Sequence, residues 1–385
     1  MHPAVPDTAL ELRSLITAAG MLELSLAEVP VRVPVDNQVL VRMEAAPINP
    51  TDLVHFLAGA DMAAAQFSGP ADRPVVTAPL AEGALRRLAG RVGASLPAGS
   101  EGAGTVVAAG SGAAAQALLG RTVALGGGAM YTQYRIADVS ACLPLPGGAT
   151  AKQGASSFVN PLTALGMVTT LRREGHAGLV HTAAASNLGQ MLVRLCHTDN
   201  VPLVSIVRRP EQVELLRSIG AELVCDSSSP PFMDDLTAAL TATSATLAFD
   251  ATGGGELASQ ILTAMEAVAV AAGPFSGYGS SVRKQVYVYG GLDPSPLVLT
   301  RNYGFAWGIG GWLLLPFLGS VGPDLENMFG RVMAELTTTF ASSYTGELSL
   351  AGVLTPEAIG AYSRRATGEK YLITPQTDGS RATDA

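Results

Sequence analysis

One stretch, residues 178–209, constrains the fold of this chain more than any other. Leu179 to His181 is a short apolar run, and Ala183 to Gly189 is built almost entirely of small residues. Met191, Leu192 and Leu195 then recur at the i, i+3, i+4 spacing of one helix face. Pro202 breaks that helix, and Leu203 to Val207 is a second apolar run. The pattern predicts strand, tight turn, helix, strand. Two parallel strands joined by a helix form a βαβ unit, whose crossover is almost always right-handed.

The turn stands where a dinucleotide-binding fingerprint would stand. Aligned on Gly189, the first two glycines of G-x-G-x-x-G become Ala184 and Ser186, with Asn187 and Leu188 between Ser186 and the final glycine. Small residues still let the backbone approach a pyrophosphate, and a helix N-terminus still offers unpaired N–H groups. Ser186 and Asn187 add side-chain donors. A plain strand–turn–helix without a ligand reads the same way. The second strand sharpens the choice of cofactor. An NAD site carries an acid about 20 residues beyond the glycines, whereas here the strand ends in Arg208-Arg209. Guanidinium forks suit a 2′-phosphate, so NADP(H) is expected over NAD(H). The alternative is a pair of solvated arginines before a helix at 211–219.

The chain has 385 residues, enough for two domains. Only 15% are charged, and the mean hydropathy is +0.30, a globular rather than a disordered composition. A net charge of −8 argues against nucleic acid or an anionic membrane as partner. Cys142, Cys196 and Cys225 are scattered and form no C-x-x-C. Residues 1–7 have no basic region leading into an apolar core, so no signal peptide is expected, and a cytoplasmic location is. The apolar run Tyr303 to Leu318 is short of a bilayer span and holds Pro316, so it reads as a buried or interface segment.

Along the chain, Thr8 to Thr17 reads as a helix and Leu22 to Val41 as strand, with Val31, Val33 and Val35 alternating. Turn-rich β texture continues to about Pro146, interrupted by a short helical insertion at Ala81 to Leu88. Ala151 to Arg172 reads as helices broken at Asn160-Pro161. Strands at 179–181, 203–207, 222–225, 246–250 and 286–290 then alternate with helices at 188–198, 211–219, 232–241 and 255–270. That alternation predicts a doubly wound parallel sheet. A helix is expected over Asp324 to Phe340, a strand at Tyr371 to Thr374, and loose structure over the last ten residues.

Several short motifs fall in one order. Asn49-Pro50-Thr51-Asp52 resembles an N-x-x-D segment, and Gly99-Ser100-Glu101-Gly102-Ala103-Gly104-Thr105-Val106 a G-H-E-x-x-G-x-V turn. Tyr131-Thr132-Gln133-Tyr134 is similar to an A-Y-A-E-Y strand. Asn160-Pro161-Leu162-Thr163-Ala164, Asp250-Ala251-Thr252-Gly253, Tyr289-Gly290-Gly291 and Gly368-Glu369-Lys370 follow. Together they resemble the medium-chain dehydrogenase/reductase superfamily, quinone oxidoreductase-like branch. The resemblance implies an α/β protein with a β-rich GroES-like catalytic domain (1–160 and 301–385) and a Rossmann NADP(H)-binding domain (161–300). In many relatives the sheet edge near Gln285 to Gly291 pairs with a second subunit, so a homodimer is expected.

Metal-using relatives ligate zinc where this chain has Asn49, Ser100 and roughly Val159. An amide, a hydroxyl and an alkyl group are not zinc ligands. His2, His55, His176, His181 and His197 show no ligand spacing either, so no zinc is expected. Without a metal to polarise an alcohol, the expected reaction is hydride transfer from NADPH to a small-molecule acceptor, a quinone or α,β-unsaturated carbonyl compound. The alternatives are an enoyl-thioester reductase and a non-catalytic NADPH-binding redox sensor. Against the former, residues 56–67 hold no tyrosine where enoyl-thioester reductases of this superfamily place a donor, although Asn160-Pro161-x-Thr163-Ala164 favours it.

The resemblance also assigns candidate roles. Asn49 faces the nicotinamide, with Asp52 either beside it or capping a helix from Leu53. Tyr131 is the candidate hydroxyl near the substrate oxygen, or else a core residue. Asn160 and Thr163 touch the nicotinamide side, unless Asn160 only kinks the helix before proline. Asp250 and Thr252 end one strand, and Tyr289, Gly290 and Gly291 the next, at the edge where ligands of open sheets gather; Asp250 could equally cap the following helix. Phe305, with Trp307 and Trp312, lines an apolar pocket or a subunit contact. Lys370 reaches the cofactor or stays at the surface.

Overall fold

The computed structural model describes residues 5–364 and 368–377, which form two compact units: the first up to Val159 and again from Val332, the second Asn160–Arg331. The second join therefore falls after Arg331 rather than at 300. Residues 301–331 stay with the second unit because Trp307–Gly311 adds a strand to its sheet.

The first unit holds two mainly antiparallel sheets. One runs Gln66–Ser68, Val75–Pro79, Met21–Pro30, Thr8–Ile16, Ser95–Pro97. The other runs Cys142–Pro144, Thr122–Gly126, Glu101–Ala109, Gln38–Pro47, Tyr371–Ile373, Gly346–Leu348, with Tyr134–Asp138 also paired to Gln38–Pro47. Their facing sides meet in a core built on Leu12, Leu22, Val41, Val106 and Leu125. The expected insertion is present as helix Glu82–Arg87.

Thr8–Ile16 is a strand, not the expected helix. It pairs antiparallel with Met21–Pro30, from Thr8↔Pro30 to Ile16↔Leu22, and Leu12, Ser14 and Ile16 are buried on one face. The alternation Leu10-Glu11-Leu12-Arg13 has the period of a strand, and a turn closed at Gly20 (φ +75) supplies the partner. Val33 and Val35 lie exposed outside any strand, since prolines at 30 and 34 remove ladder donors. Of the last ten residues, 378–385 lie outside the described residues, and Gln376 is tied down by its amide, which donates to the Met43 and Gln133 carbonyls.

In the second unit six parallel strands follow the order Leu223–Asp226, Leu203–Val207, Leu179–His181, Leu247–Asp250, Lys284–Val288, Trp307–Gly311. Numbered along the chain this is 3-2-1-4-5-6, the dinucleotide-binding arrangement with its switch point beside the first strand. Leu179–His181 and Leu247–Asp250 are buried throughout, as strands covered by helices on both faces must be.

The alternating helices occupy their expected places within a few residues: Asn187–Thr198, Pro210–Ser218, Phe232–Thr243 and Leu257–Ala272. The fifth strand starts and ends two residues before the expected 286–290. The helical break expected at Asn160-Pro161 lies earlier, between Ala151–Gly154 and Val159–Glu174. Pro161 sits in the first turn of the second helix, where its missing N–H costs nothing. Helix Asp324–Ala334 ends before the threonine run 337–339, whose branched side chains are poor helix formers. Among the described residues, no helix is long and apolar enough to cross a membrane.

Candidate active site

In the second unit the candidate residues collect at the carboxyl ends of neighbouring strands. After Leu179–His181 the chain turns through Ala183, held at φ +49, into helix Asn187–Thr198. Ser186 is its N-cap, and its Oγ accepts from the Gly189 N–H at 3.2 Å. Gly189 is obligatory, because a Cβ there would lie 2.0 Å from the Ala184 carbonyl oxygen. Glycine thus lets the helix pack onto the strand as in a dinucleotide site. Ala184 and Leu188 are buried beneath the turn, while Ser186 and Asn187 are half-exposed.

Arg208 and Arg209 follow Leu203–Val207. Both are exposed, and the backbone N–H of Arg208 donates to Gln212 Oε1 at 3.1 Å. Asp250, fully buried, is committed to its own turn. Its carboxylate accepts from the Thr182 hydroxyl at 2.7 Å, the Thr252 N–H at 2.9 Å and the Gly253 N–H at 3.0 Å. Thr252 itself stays half-exposed. Tyr289, Gly290 and Gly291 end the next strand, and the Tyr289 hydroxyl pairs with His181 Nε2 at 2.7 Å. His181 is buried, which depresses its imidazole to about 3 and keeps it neutral. Nothing in the local sequence of His181 or Tyr289, 108 positions apart, signals this pair. Asn160 and Thr163 lie in the first turns of Val159–Glu174, and Phe305 is an exposed ring against Tyr278.

The first unit brings Asn49, Lys370 and Tyr131 together around two acids. Asn49 Nδ2 donates to Glu101 Oε1 at 2.8 Å, and Lys370 Nζ donates to Asn49 Oδ1 at 3.0 Å. Glu101 Oε2 accepts from the Phe158 and Val159 N–H groups at 2.8 and 3.0 Å. Asp52 accepts from the Asn49 N–H at 2.8 Å and the Ser100 hydroxyl at 2.6 Å. It does so from inside helix Pro50–Phe56, which begins at Pro50 rather than Leu53. Burial pushes the Glu101 and Asp52 carboxyls upward, opposed by these donors and, at Glu101, by the Lys370 charge. Burial also lowers Lys370 to about 8, against the pull of Glu101 and Asp52.

Tyr131 lies three residues before strand Tyr134–Asp138, not on it. Its buried hydroxyl donates to the Pro47 carbonyl at 3.0 Å, and its ring fills the space that a Cβ at Gly99 would need. Burial raises its phenol, and the Asp52 charge alongside raises it further. Glu101 is the acceptor that sequence reasoning left out, although the G-S-E segment contains it.

No protein-family model matches the sequence. A mitochondrial enoyl-[acyl-carrier-protein] reductase from Caenorhabditis elegans is 24% identical over 231 residues, and the match spans only 58% of that protein's length and 58% of this chain. A crystal structure of a candidate NADPH:quinone reductase from Mesorhizobium loti aligns over 97% of this chain and 100% of its own, with TM-score 0.71 and 26% identity. In fold and in the order of its motifs the chain is similar to the medium-chain dehydrogenase/reductase superfamily. A mutant enoyl thioester reductase from Candida tropicalis has the same fold, covering 96% of this chain and 100% of its own at TM-score 0.67 and 20% identity.

Asn49 and Ser100, which stand where metal-using members of that superfamily ligate zinc, are here bonded instead to Glu101 and Lys370 and to Asp52. Among the described residues, no group of three or more histidine, cysteine, aspartate or glutamate side chains could hold a metal ion. A dinucleotide fits the second unit better than a metal fits the first. The helix N-terminus at Ser186 and Asn187 and the two exposed guanidiniums offer donors in the order that a pyrophosphate and a 2′-phosphate would use them.

Proposed function

We propose that the protein is an NADPH-dependent oxidoreductase whose acceptor is a quinone or an α,β-unsaturated carbonyl compound. The exposed Arg208-Arg209 pair at the end of the second strand, where an NAD site has an acid, carries the cofactor choice. NADPH, when bound, supplies a hydride to the acceptor and leaves as NADP⁺, and a proton completes the product. The chain's own contribution is to bind and orient. Ser186, Asn187 and the N–H groups of their helix hold the pyrophosphate, and Arg208 and Arg209 the 2′-phosphate. The Lys370–Asn49–Glu101 chain fixes the Asn49 amide, and Asp52 fixes the Ser100 hydroxyl. Tyr289 is held by His181.

The full-length likeness to a candidate quinone reductase supports a quinone, while the curated relative supports an enoyl thioester. The test is a titration with NADPH and NADH, followed by NADPH oxidation with small quinones and a crotonyl thioester. Arg208→Ala should weaken NADPH roughly tenfold or more, since a charged hydrogen bond contributes about 1.5–3 kcal/mol, and leave NADH nearly unchanged. Equal losses for both cofactors would make Arg208 structural. Tight NADPH binding without turnover of any acceptor would favour a redox sensor.

The expected subunit edge at Gln285 to Gly291 is not an edge, because Lys284–Val288 is paired on both sides, with Leu247–Asp250 and Trp307–Gly311. The homodimer of this reading is placed at the outer strand Trp307–Gly311 instead. That strand ends the sheet, and exposed Phe305, Leu313 and Leu315 flank it. A monomer in sedimentation at micromolar concentration would reject it.

A further inference from the structure

Two adjoining cavities in the first unit are lined by arginines that the reading above does not use. One, of about 260 Å³, holds Asp52 and Ser100 of the polar network together with Arg91. The other, of about 370 Å³, opens between the two sheets and is lined by Glu11, Arg13, Arg32 and Arg135. Pro97 and Ala129 belong to the walls of both. Gly127, Gly128 and Ala129 all have left-handed backbone (φ +98, +98 and +60), a bend that ends at this shared wall.

The charges do not balance. Glu11 is occupied by Arg13 at 2.5 Å. Arg32 and Arg135 have no ion pair among the described residues, and Arg135 Nε is buried without a hydrogen-bond partner. Arg91 is held by uncharged oxygens, its Nη1 donating to the His55 carbonyl at 2.8 Å and its Nη2 to Ser14 Oγ at 3.2 Å. Its Nε is also buried and unpaired. A buried donor left unpaired is costly. With Glu11 taken by Arg13 and Asp52 by Asn49 and Ser100, Arg32, Arg91 and Arg135 are left without a carboxylate partner among the described residues, and such guanidinium forks match phosphate. This excess of positive charge sits on a chain whose net charge is −8.

We infer that the two cavities form one groove for an acceptor bearing a phosphate group, with Arg135 and Arg32 binding the phosphate and the reducible end lying toward Asp52 and Ser100. The assignment of the reducible end rests on the oxidoreductase reading; the phosphate site does not.

The test is calorimetric titration of the protein saturated with NADPH, so that the cofactor's own phosphate sites are filled. The probes are pyrophosphate, coenzyme A, and N-acetylcysteamine as a thiol without phosphate. Pyrophosphate and coenzyme A should bind and compete, and N-acetylcysteamine should not displace pyrophosphate. Arg135→Gln should weaken both phosphate probes about tenfold, and adding Arg32→Gln should weaken them further. Arg121→Gln, which removes an exposed arginine outside the groove, should leave both affinities unchanged.

Tighter binding of coenzyme A than of pyrophosphate would identify the ligand as a coenzyme thioester, and equal binding a simpler phosphate ester. Absence of binding to the unmodified protein, or equal losses in Arg135→Gln and Arg121→Gln, would overturn the inference. Turnover plays no part in this measurement. A failed acceptor screen would therefore remove the catalytic reading and leave the phosphate site standing or falling by its own result.

Discussion

Glu101→Ala is expected to destabilise the first unit by about 3–5 kcal/mol, the usual cost of removing one partner from a buried charged network. Glu101 has no solvent exposure and accepts from three donors, the N–H groups of Phe158 and Val159 and the amide of Asn49. Alanine leaves all three without an acceptor. It also removes the negative charge nearest in effect to Lys370, whose ammonium is buried and bonded to Asn49. Glu101→Gln keeps one acceptor oxygen and the shape, so it should cost less. Joining it to Lys370→Met removes both charges, and the pair should recover part of the loss, because a buried ion pair gains little over an apolar replacement.

Both tryptophans, Trp307 and Trp312, lie in the second unit, so their fluorescence does not report this change. Hydrogen exchange of peptides from strand Glu101–Ala109 does. Exchange in Glu101→Ala as slow as in the unaltered protein would mean that the carboxylate contributes no net stability. The contribution of the network would then lie only in orienting Asn49 and Ser100.

The second unit was the more legible half of the chain. Its strands are short apolar runs set between helices of the right length, and buried parallel strands produce just that texture. The antiparallel half was harder. Thr8–Ile16 carries a strand pattern of ordinary composition, and its partner is established only by the turn at Gly20 and the strand after it. Val33 and Val35 continue the alternation of Val31 but lie outside any strand, because the pattern says nothing of whether a neighbouring strand exists.

The polar site shows the same divide. Asn49 and Lys370 were legible as motif residues, but they are 321 positions apart in the chain, and only the fold brings them within 3.0 Å. The groove arginines were not legible at all. Arg13, Arg32 and Arg135 come from three separate segments, and nothing in their local sequence distinguishes them from surface residues. Glu101 is not marked by the motif, because the position that distinguishes metal-using relatives is the neighbouring one, a histidine there and Ser100 here.

The second unit is expected to lose about 2–3 kcal/mol of stability between pH 6.5 and about pH 4.5 through His181 alone. In the folded chain burial holds this imidazole at about 3, and released into water it returns to about 6.5. Between those values the unfolded chain binds a proton that the folded chain refuses, so unfolding free energy rises with pH across the window. The contribution is complete above pH 6.5 and is lost as pH falls toward 3.

The pairing with Tyr289 does not relieve the cost of charging the ring. His181 Nε2 meets the hydroxyl at 2.7 Å, but Nδ1 is buried without a partner, and among the described residues no carboxylate is bonded to the ring to support an imidazolium. Asp199 is held below its ordinary value of 3.8, chiefly by hydrogen bonding from Arg331, with Arg172 adding to it. Its own contribution therefore disappears below that pH and leaves the window clear. His176 is also lowered by burial and titrates in the same direction. Glu266, which burial raises but hydrogen bonds from Lys284 and Ser280 hold below its ordinary 4.5, adds to the acid end of the window. The total slope is therefore not His181's alone. The difference between the unaltered protein and His181→Gln isolates its share. Urea unfolding followed by tryptophan fluorescence at pH 7 and pH 4.5 reads the correct unit. In His181→Gln the loss between the two pH values should shrink by about 2–3 kcal/mol. An unchanged pH dependence would show that His181 is protonated without unfolding, and hence that water reaches the pair behind the Tyr289 turn.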